Sequence, residues 1–263
     1  MPIDLHCHLL PAIDDGAKSV DQALAMARLA EADGTTDMVC TPHHLNGLYV
    51  NTAAEIRRHT QALQQALNAA GLVLRLHAGA EHHLVPELPQ ALREGSAITL
   101  ADGGRFVLVE LPVHDIPLGA ETLLAQIMAL GLTPIIAHPE RNAGLRAEPQ
   151  RLLSWVEMGC LGQITAQSCT GEFGEPVQQA SRHMLASGGI QLIASDAHRD
   201  RRRVPVLSEG WAQVESWIGA AAAQLINEVF PAAVLAGEQP DLDALVAALP
   251  ASRGRWFSRW RRG

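Results

Sequence analysis

Short apolar runs alternate with amphipathic stretches along almost the whole chain. The segments "IDLHCHL", "TTDMVCTPH", "LVLRLHAGAE", "FVLVELP", "LTPIIAHPE", "LGQITAQ" and "IQLIASDAH" are rich in aliphatic and β-branched residues. Their near-continuous apolar character is that of strands buried on both faces. The stretches between them have helical periodicity and recognisable ends. Ser19 and Gln22 have capping-box spacing, with Val20, Ala23, Leu24 and Ala27 on one face and Gly34 as a stop. Thr52 and Glu55 repeat that signature before Ile56, Leu63 and Leu67, and Gly71 follows. Two further helices are expected over Glu121–Leu130, ending at Gly131, and over Glu148–Met158, ending at Gly159. Strand, helix, strand at this spacing implies parallel βαβ units. Seven strand candidates, with no Gly-, Ser- or Pro-rich linker before about residue 250, imply one barrel domain over residues 1–250 in preference to an open sheet.

The length of 263 residues suits that reading, since a closed α/β barrel takes about 250 residues. Charged residues make up 18% and the formal net charge is −8. Both argue against a surface built to coat nucleic acid, so no nucleic-acid partner is expected. No apolar run reaches the roughly 20 residues of a membrane-spanning helix, and the first ten residues lack a basic, secretory-type start. Cys7, Cys40, Cys160 and Cys169 show no CxxC spacing. Reduced thiols in a cytoplasmic protein are the expectation. The end of the chain is different. "ASRGRWFSRWRRG", residues 251–263, carries five arginines, and as a helix would put Trp256, Phe257 and Trp260 on one face. Such a tail suits peripheral contact with anionic lipid at the inner face of the membrane, or with an acidic partner. A solvated terminus is the simpler reading.

The polar exceptions to the apolar pattern fall at the strand ends. In "DLHCHLLPAIDDG", His6 and His8 stand at i and i+2 and share one side of a strand with Asp4, while Leu5, Cys7 and Leu9 face the other way. The second run ends in His43 and His44, the third in Glu81, the fourth in Glu110, the fifth in His138 with Arg141 following, and the last in Asp196 and His198. In a parallel barrel the C-terminal strand ends meet at one mouth. There, six uncompensated His, Asp or Glu positions would be very unfavourable without cations. A multinuclear metal site is therefore expected. Its imidazole and carboxylate ligands, without thiolate, suit Mn, Fe or Zn. Cys7 has the wrong strand parity to join. His82 beside Glu81 is structural or supporting, and His59, His77, His114 and His183 lie outside the pattern.

Other hydrolase designs fail on inspection. A cysteine phosphatase loop needs Arg six residues after Cys, but those positions hold Ile13, Asn46, Ala166 and Glu175. No GxSxG nucleophile elbow occurs. The only lysine, Lys18, lies in the first loop, which disfavours an amidohydrolase with a modified bridging lysine and favours Glu81 as the bridge.

Taken in order, "DLHCHLLPAIDDG", "TPHH", "GAEHHL", "VELP", "AHPER" and "SDAH" resemble the polymerase and histidinol phosphatase (PHP) superfamily. The "LPxxDDG", "GAE" and "HPER" elements, with "QITAQSCTGEFGE" and "RRRVPVLSEG", narrow the likeness to the CpsB-like bacterial protein-tyrosine phosphatases of capsular and exopolysaccharide synthesis. The resemblance implies a distorted (β/α)7 TIM-like barrel with three metal ions, commonly manganese. One ion would be held by His6, His8, Glu81 and Asp196, a second by Glu81, Glu110 and His138, and a third by Asp14, His43 and His198. Asp14 is preferred to Asp15 because it stands six residues after the second His, where relatives have a ligand. Arg141 and Arg203 match phosphate-binding arginines, although Arg199, Arg201 and Arg202 stand close to the latter. Phe230-Pro231 departs from the Asn-Pro common in relatives, which should bear on packing of the C-terminal helices more than on chemistry.

The mechanism expected is hydrolysis of a phosphomonoester with metal-bound hydroxide as the nucleophile, because metal binding lowers the pKa of water from about 15.7 toward about 7. Asp196 and the two arginines would be the catalytic residues, and a phosphotyrosine protein, such as a membrane-associated bacterial tyrosine kinase, the partner. An oligomer is compatible with the sequence. The alternatives are a small-molecule phosphoesterase of the histidinol-phosphate type, a nuclease-like member, which the negative charge disfavours, and a non-catalytic metal-binding regulator, which the full ligand set disfavours.

Overall fold

The computed structural model describes residues 2–250, and the expected basic tail over residues 251–263 lies outside them. Among the described residues there are nine strands, all paired in parallel: β1 (Ile3–Cys7), β2 (Asp37–Cys40), β3 (His43–His44), β4 (Arg75–Ala78), β5 (Glu81–His83), β6 (Phe106–Glu110), β7 (Thr133–Ala137), β8 (Leu161–Thr165) and β9 (Leu192–Ala194). They form two sheets, β1-β2-β4 and β3-β5-β6-β7-β8-β9.

The nine strands are the seven expected runs, two of them broken. "TTDMVCTPH" divides into β2 and β3 at Thr41-Pro42, where proline removes a ladder donor. "LVLRLHAGAE" divides into β4 and β5 at Gly79, whose added Cβ would stand 2.8 Å from Val39 Cγ1. The neighbouring backbones still meet across both breaks, through Gly79 N–H donating to Cys40 O and Glu81 N–H to Pro42 O. The last run returns to the first: Asp196 N–H donates to His6 O at 2.8 Å and His8 N–H to Ala197 O at 2.9 Å. A parallel bridge joins Cys7 and Ala197 there. The architecture is the distorted (β/α)7 arrangement.

Helices fill the crossovers with ends close to those expected. The helix Ala53–Ala69 has a complete capping box between Thr52 and Glu55. In Val20–Ala32 only half of the box forms, because Ser19 caps Gln22 N–H but the Gln22 side chain accepts from Lys18 N–H. Gly131 and Gly159 follow helices Ala120–Met128 and Pro149–Met158. The core lies between helices and strands, with Trp155, Phe106 and Phe230 fully buried. Phe230 follows a π-helical turn, Leu225–Val229, so Pro231 enters at the start of the next helix, where its missing N–H costs little. None of the described helices is long and apolar enough to cross a membrane.

The interior leaves little slack where strand and loop backbones touch. A Cβ at Gly162, in β8, would lie 2.2 Å from Gly189 O, a backbone atom that cannot swing aside. Gly162→Ala should therefore destabilise the domain by about 2 kcal/mol, within the range for overpacked cores. A thermal melt should show the midpoint falling by about 5 °C.

Candidate metal centre

The side chains that converge at the C-terminal strand ends come from six of the seven runs. His6 lies in β1 and His8 just beyond it; His43 comes from β3, Glu81 from β5 and Glu110 from the end of β6; His138 directly follows β7, and Asp196 and His198 follow β9. His138 and Asp196 take left-handed backbone, with φ of 33° and 48°. Such conformations cost energy in non-glycine residues and cluster at functional sites.

Glu81 occupies the middle. Its Oε1 accepts from His138 Nε2 at 2.8 Å and lies 3.4 Å from His6 Nε2. Its Oε2 lies 3.4 Å from His8 Nε2 and 3.0 Å from His43 Nδ1, the last without hydrogen-bond geometry. Glu110 stands 3.7 Å from both His43 Nδ1 and His138 Nε2. Asp196 Oδ1 is 3.3 Å from His6 Nε2 and 3.4 Å from His8 Nε2. Among the described residues four overlapping donor groups result: His6, His8 and Glu81; His6, His138 and Asp196; His43, Glu81 and Glu110; and His8, Asp15, His43 and His198.

Buried partners fix which nitrogen of several rings faces this centre. His8 Nδ1 is 2.7 Å from Asp14 Oδ2, His6 Nδ1 is 2.9 Å from Gln163 Oε1, and His198 Nδ1 is 2.9 Å from Asp196 O. Each leaves Nε2 directed at the donor cluster. Asp14, expected as a ligand of a third ion, thus stands behind His8. Its other contacts are backbone N–H groups of Gly16 and His43. Asp15 faces the cluster instead, with Oδ1 3.4 Å from both His43 Nε2 and His198 Nε2. Counting residues from the HxH motif did not capture this. The loop folds back on β1 through Ala17 N–H to His8 O, and Gly16 packs so tightly there that a Cβ would meet His8 O at 2.1 Å.

The electrostatics are those of a site built for cations. Burial works against the ionised form of Glu81, yet the surrounding imidazoles of His6 and His138 hold its pKa well below the usual carboxylate range. Burial likewise opposes ionisation of Asp196, and the Arg141 and Arg203 guanidiniums override it. His43, disfavoured as a cation by burial, is pushed up to about 10 by Asp15 and Glu81. His198 is pushed down to about 4 by burial and by His8. Asp15 Oδ1, His43 Nδ1, Glu81 Oε2 and Asp196 Oδ1 are buried atoms without a hydrogen-bond partner. Orphaned N and O donors facing one another, with no thiolate among them, fit divalent ions such as Mn, Fe or Zn. The four cysteines are buried and outside the groups.

Two arginines meet the cluster from the other side. Arg141 and Arg203 each place a terminal nitrogen 2.5 Å from Asp196 Oδ2. Arg203, with φ of 52°, lines the cavity; Arg201 and Arg202 are exposed, and Arg199 ties the first loop down through Gly16 O. Asp4, on the strand side of His6 and His8, accepts from Ser195 Oγ. Two supporting residues carry no signal in the sequence: Gln163 behind His6, and fully buried Glu140, which accepts from Ser168 Oγ and Thr165 N–H. His83 points to Glu110, while His82 is structural, held 2.7 Å from Ile98 O.

Residues 2–236 match the family model for capsular polysaccharide synthesis, CpsB/CapC. The chain belongs to this family. Within the CpsB/CapC family it is similar to the tyrosine-protein phosphatase YwqE of Bacillus subtilis (strain 168), at 34% identity over 226 residues, 86% of this chain and 89% of YwqE. A solved structure described among those of "YwqE from Bacillus subtilis and CpsB from Streptococcus pneumoniae, unique metal-dependent tyrosine phosphatases" matches with a TM-score of 0.86 and 33% identity, covering 90% of this chain and 95% of the other. The phosphotriesterase homology protein of Escherichia coli, at 12% identity and a TM-score of 0.55 over 88% of this chain and 97% of its own, shares the fold.

Asp14 and Asp15 should separate by measurement. Asp15→Ala should lower the bound-metal stoichiometry in elemental analysis. Asp14→Asn should weaken metal affinity about 10- to 100-fold, as loss of a partner behind a ligand does, with full stoichiometry regained at saturating metal. Metal loading should also release protons near pH 7, because His43 and His8 are held protonated in the free site and ligands must be deprotonated. Calorimetry in buffers of different ionisation enthalpy reads that release, and affinity should rise with pH.

Proposed function

We propose that this chain is a metal-dependent protein-tyrosine phosphatase of capsular polysaccharide synthesis, using three divalent ions, with manganese the ion employed. The observation that carries this reading is the convergence of Arg141 and Arg203 on one carboxylate oxygen at the wall of the donor cluster. Two guanidiniums spaced to grip a single oxyanion, beside a cation site, make a phosphoryl-binding arrangement. In this assignment His6, His8, Glu81 and Asp196 hold one ion, Glu81, Glu110 and His138 a second, and His43 and His198 a third with Asp15. When bound, such ions provide Lewis acidity that makes water nucleophilic near neutral pH.

The chain's own residues do the rest. Arg141 and Arg203 turn from Asp196 Oδ2 to the non-bridging oxygens of the phosphoryl group and offset the charge that develops there. Asp14 and Gln163 keep the His8 and His6 rings oriented throughout. A tyrosyl leaving group, with a pKa near 10, departs with little need for a proton donor. The cavity over the cluster, about 460 Å³ and open at the mouth, admits an aryl ester carried on a flexible segment. The partner in this reading is a phosphotyrosine protein, taken to be a membrane-associated bacterial tyrosine kinase, met in the cytoplasm or at the inner membrane face.

Arg141→Ala should lower kcat/KM on a phosphotyrosine peptide by about 10²- to 10³-fold, the scale for losing one preorganised charge donor, while elemental analysis shows unchanged metal content. Chelator should abolish phosphate release and added manganese restore it. Full activity in the variant, or activity indifferent to chelator, would refute the assignment.

A further inference from the structure

The cavity has a chemically mixed lining. Beside the charged donor cluster, Leu111, Val113, Val177 and Phe173 contribute apolar wall. Among the described lining residues Phe173 carries the one phenyl, phenol or indole ring. It is set at the tip of a tight turn between helices Ala166–Thr170 and Glu175–Ala186. Gly171 and Gly174 on either side both take φ of 90°, conformations that favour glycine. Gly174 N–H donates to Gly171 O, and Gln178 Nε2 to Cys169 O, which hold the turn's shape. The ring lies 5.0 Å from the Arg141 guanidinium carbon and 5.9 Å from that of Arg203.

We propose that Phe173 is a specificity-determining residue that selects aryl over alkyl phosphate esters by contacting the leaving group's ring. The inference rests on the phosphatase reading above and deepens it. A phosphoryl group gripped by both guanidiniums has its ester substituent beside the ring that touches those guanidiniums. A seryl ester offers that wall one methylene. A tyrosyl ester offers a whole ring, and aromatic pairs gain both from apolar burial and from their quadrupoles.

The test compares wild type with Phe173→Leu and Phe173→Tyr, all loaded with manganese. Calorimetry measures binding of a peptide carrying the non-hydrolysable phosphonomethyl-phenylalanine, and of inorganic phosphate alone. Phe173→Leu should weaken the aryl phosphonate about tenfold and inorganic phosphate less than twofold. The ratio of kcat/KM on phosphotyrosine to phosphoserine peptide should fall about tenfold, and Phe173→Tyr should restore both readouts. Equal weakening of phosphonate and inorganic phosphate would overturn the proposal, since it would mean that Phe173 only steadies the arginines; so would no change in either. Phe173→Met, unbranched and of similar bulk, carries the same comparison should the leucine variant melt early or lose metal. The binding arm needs no turnover. A wild type inactive on phosphotyrosine peptide would therefore overturn the phosphatase reading while the calorimetry still decided the role of Phe173.

Discussion

Two buried carboxylates govern this molecule. Glu81 and Asp196 are almost wholly shielded from water, 1% exposed each, at the end of a barrel whose other interior groups are largely apolar. Removing a carboxylate from water costs several kcal/mol even after relaxation, unless charge of opposite sign surrounds it. Imidazoles encircle Glu81, and guanidiniums approach Asp196 from the cavity side. The rest of the site follows from that requirement. Rings must be aimed, which needs Asp14 and Gln163 behind them, and the backbone must bend sharply at His138 and Asp196 to deliver its side chains. A site of this kind is unfavourable for folding until cations complete it, and it is retained for what it does.

Asp196 connects the two halves of the chemistry. Its Oδ1 looks toward histidines and its Oδ2 toward arginines. One side chain, two residues past β9, thereby links the imidazole cluster to both guanidiniums. Both arginines stand on loops that follow strands, Arg141 in the 3-10 turn after His138 and Arg203 five residues after His198, nine past the end of β9. Longer tethers would let the guanidiniums drift from the carboxylate that presets their spacing.

Most members of the donor cluster could be read from the chain because barrel topology turns a one-dimensional regularity into a place. Each of His6, Glu81, Glu110 and Asp196 closes an apolar run or sits near its end, and parallel strands bring such ends to one mouth. The helix ends were legible for the same local reason, as at Thr52 and Glu55. What resisted reading lies in loops and in partners distant in sequence. Asp14 and Asp15 are adjacent and chemically identical, and only the fold-back of the loop onto His8 decides which one faces the cluster. Gln163 supports His6 from a strand 157 positions away, and nothing in "LGQITAQ" advertises that role. The breaks at Pro42 and Gly79 were visible as residues, yet their effect of dividing two runs into four short strands depends on what packs against them.

The union of the last strand run with the first has a bearing on biosynthesis. His6 and His8 leave the ribosome first, whereas Asp196 and His198 follow after nearly two hundred residues, and the bonds between His6 O and Asp196 N–H form only when both are present. Contacts of such long sequence separation form late. A nascent chain therefore displays histidines and acidic groups to the cell long before they constitute a chelate. Any ion this cluster holds would be acquired after synthesis, in competition among the metals then available.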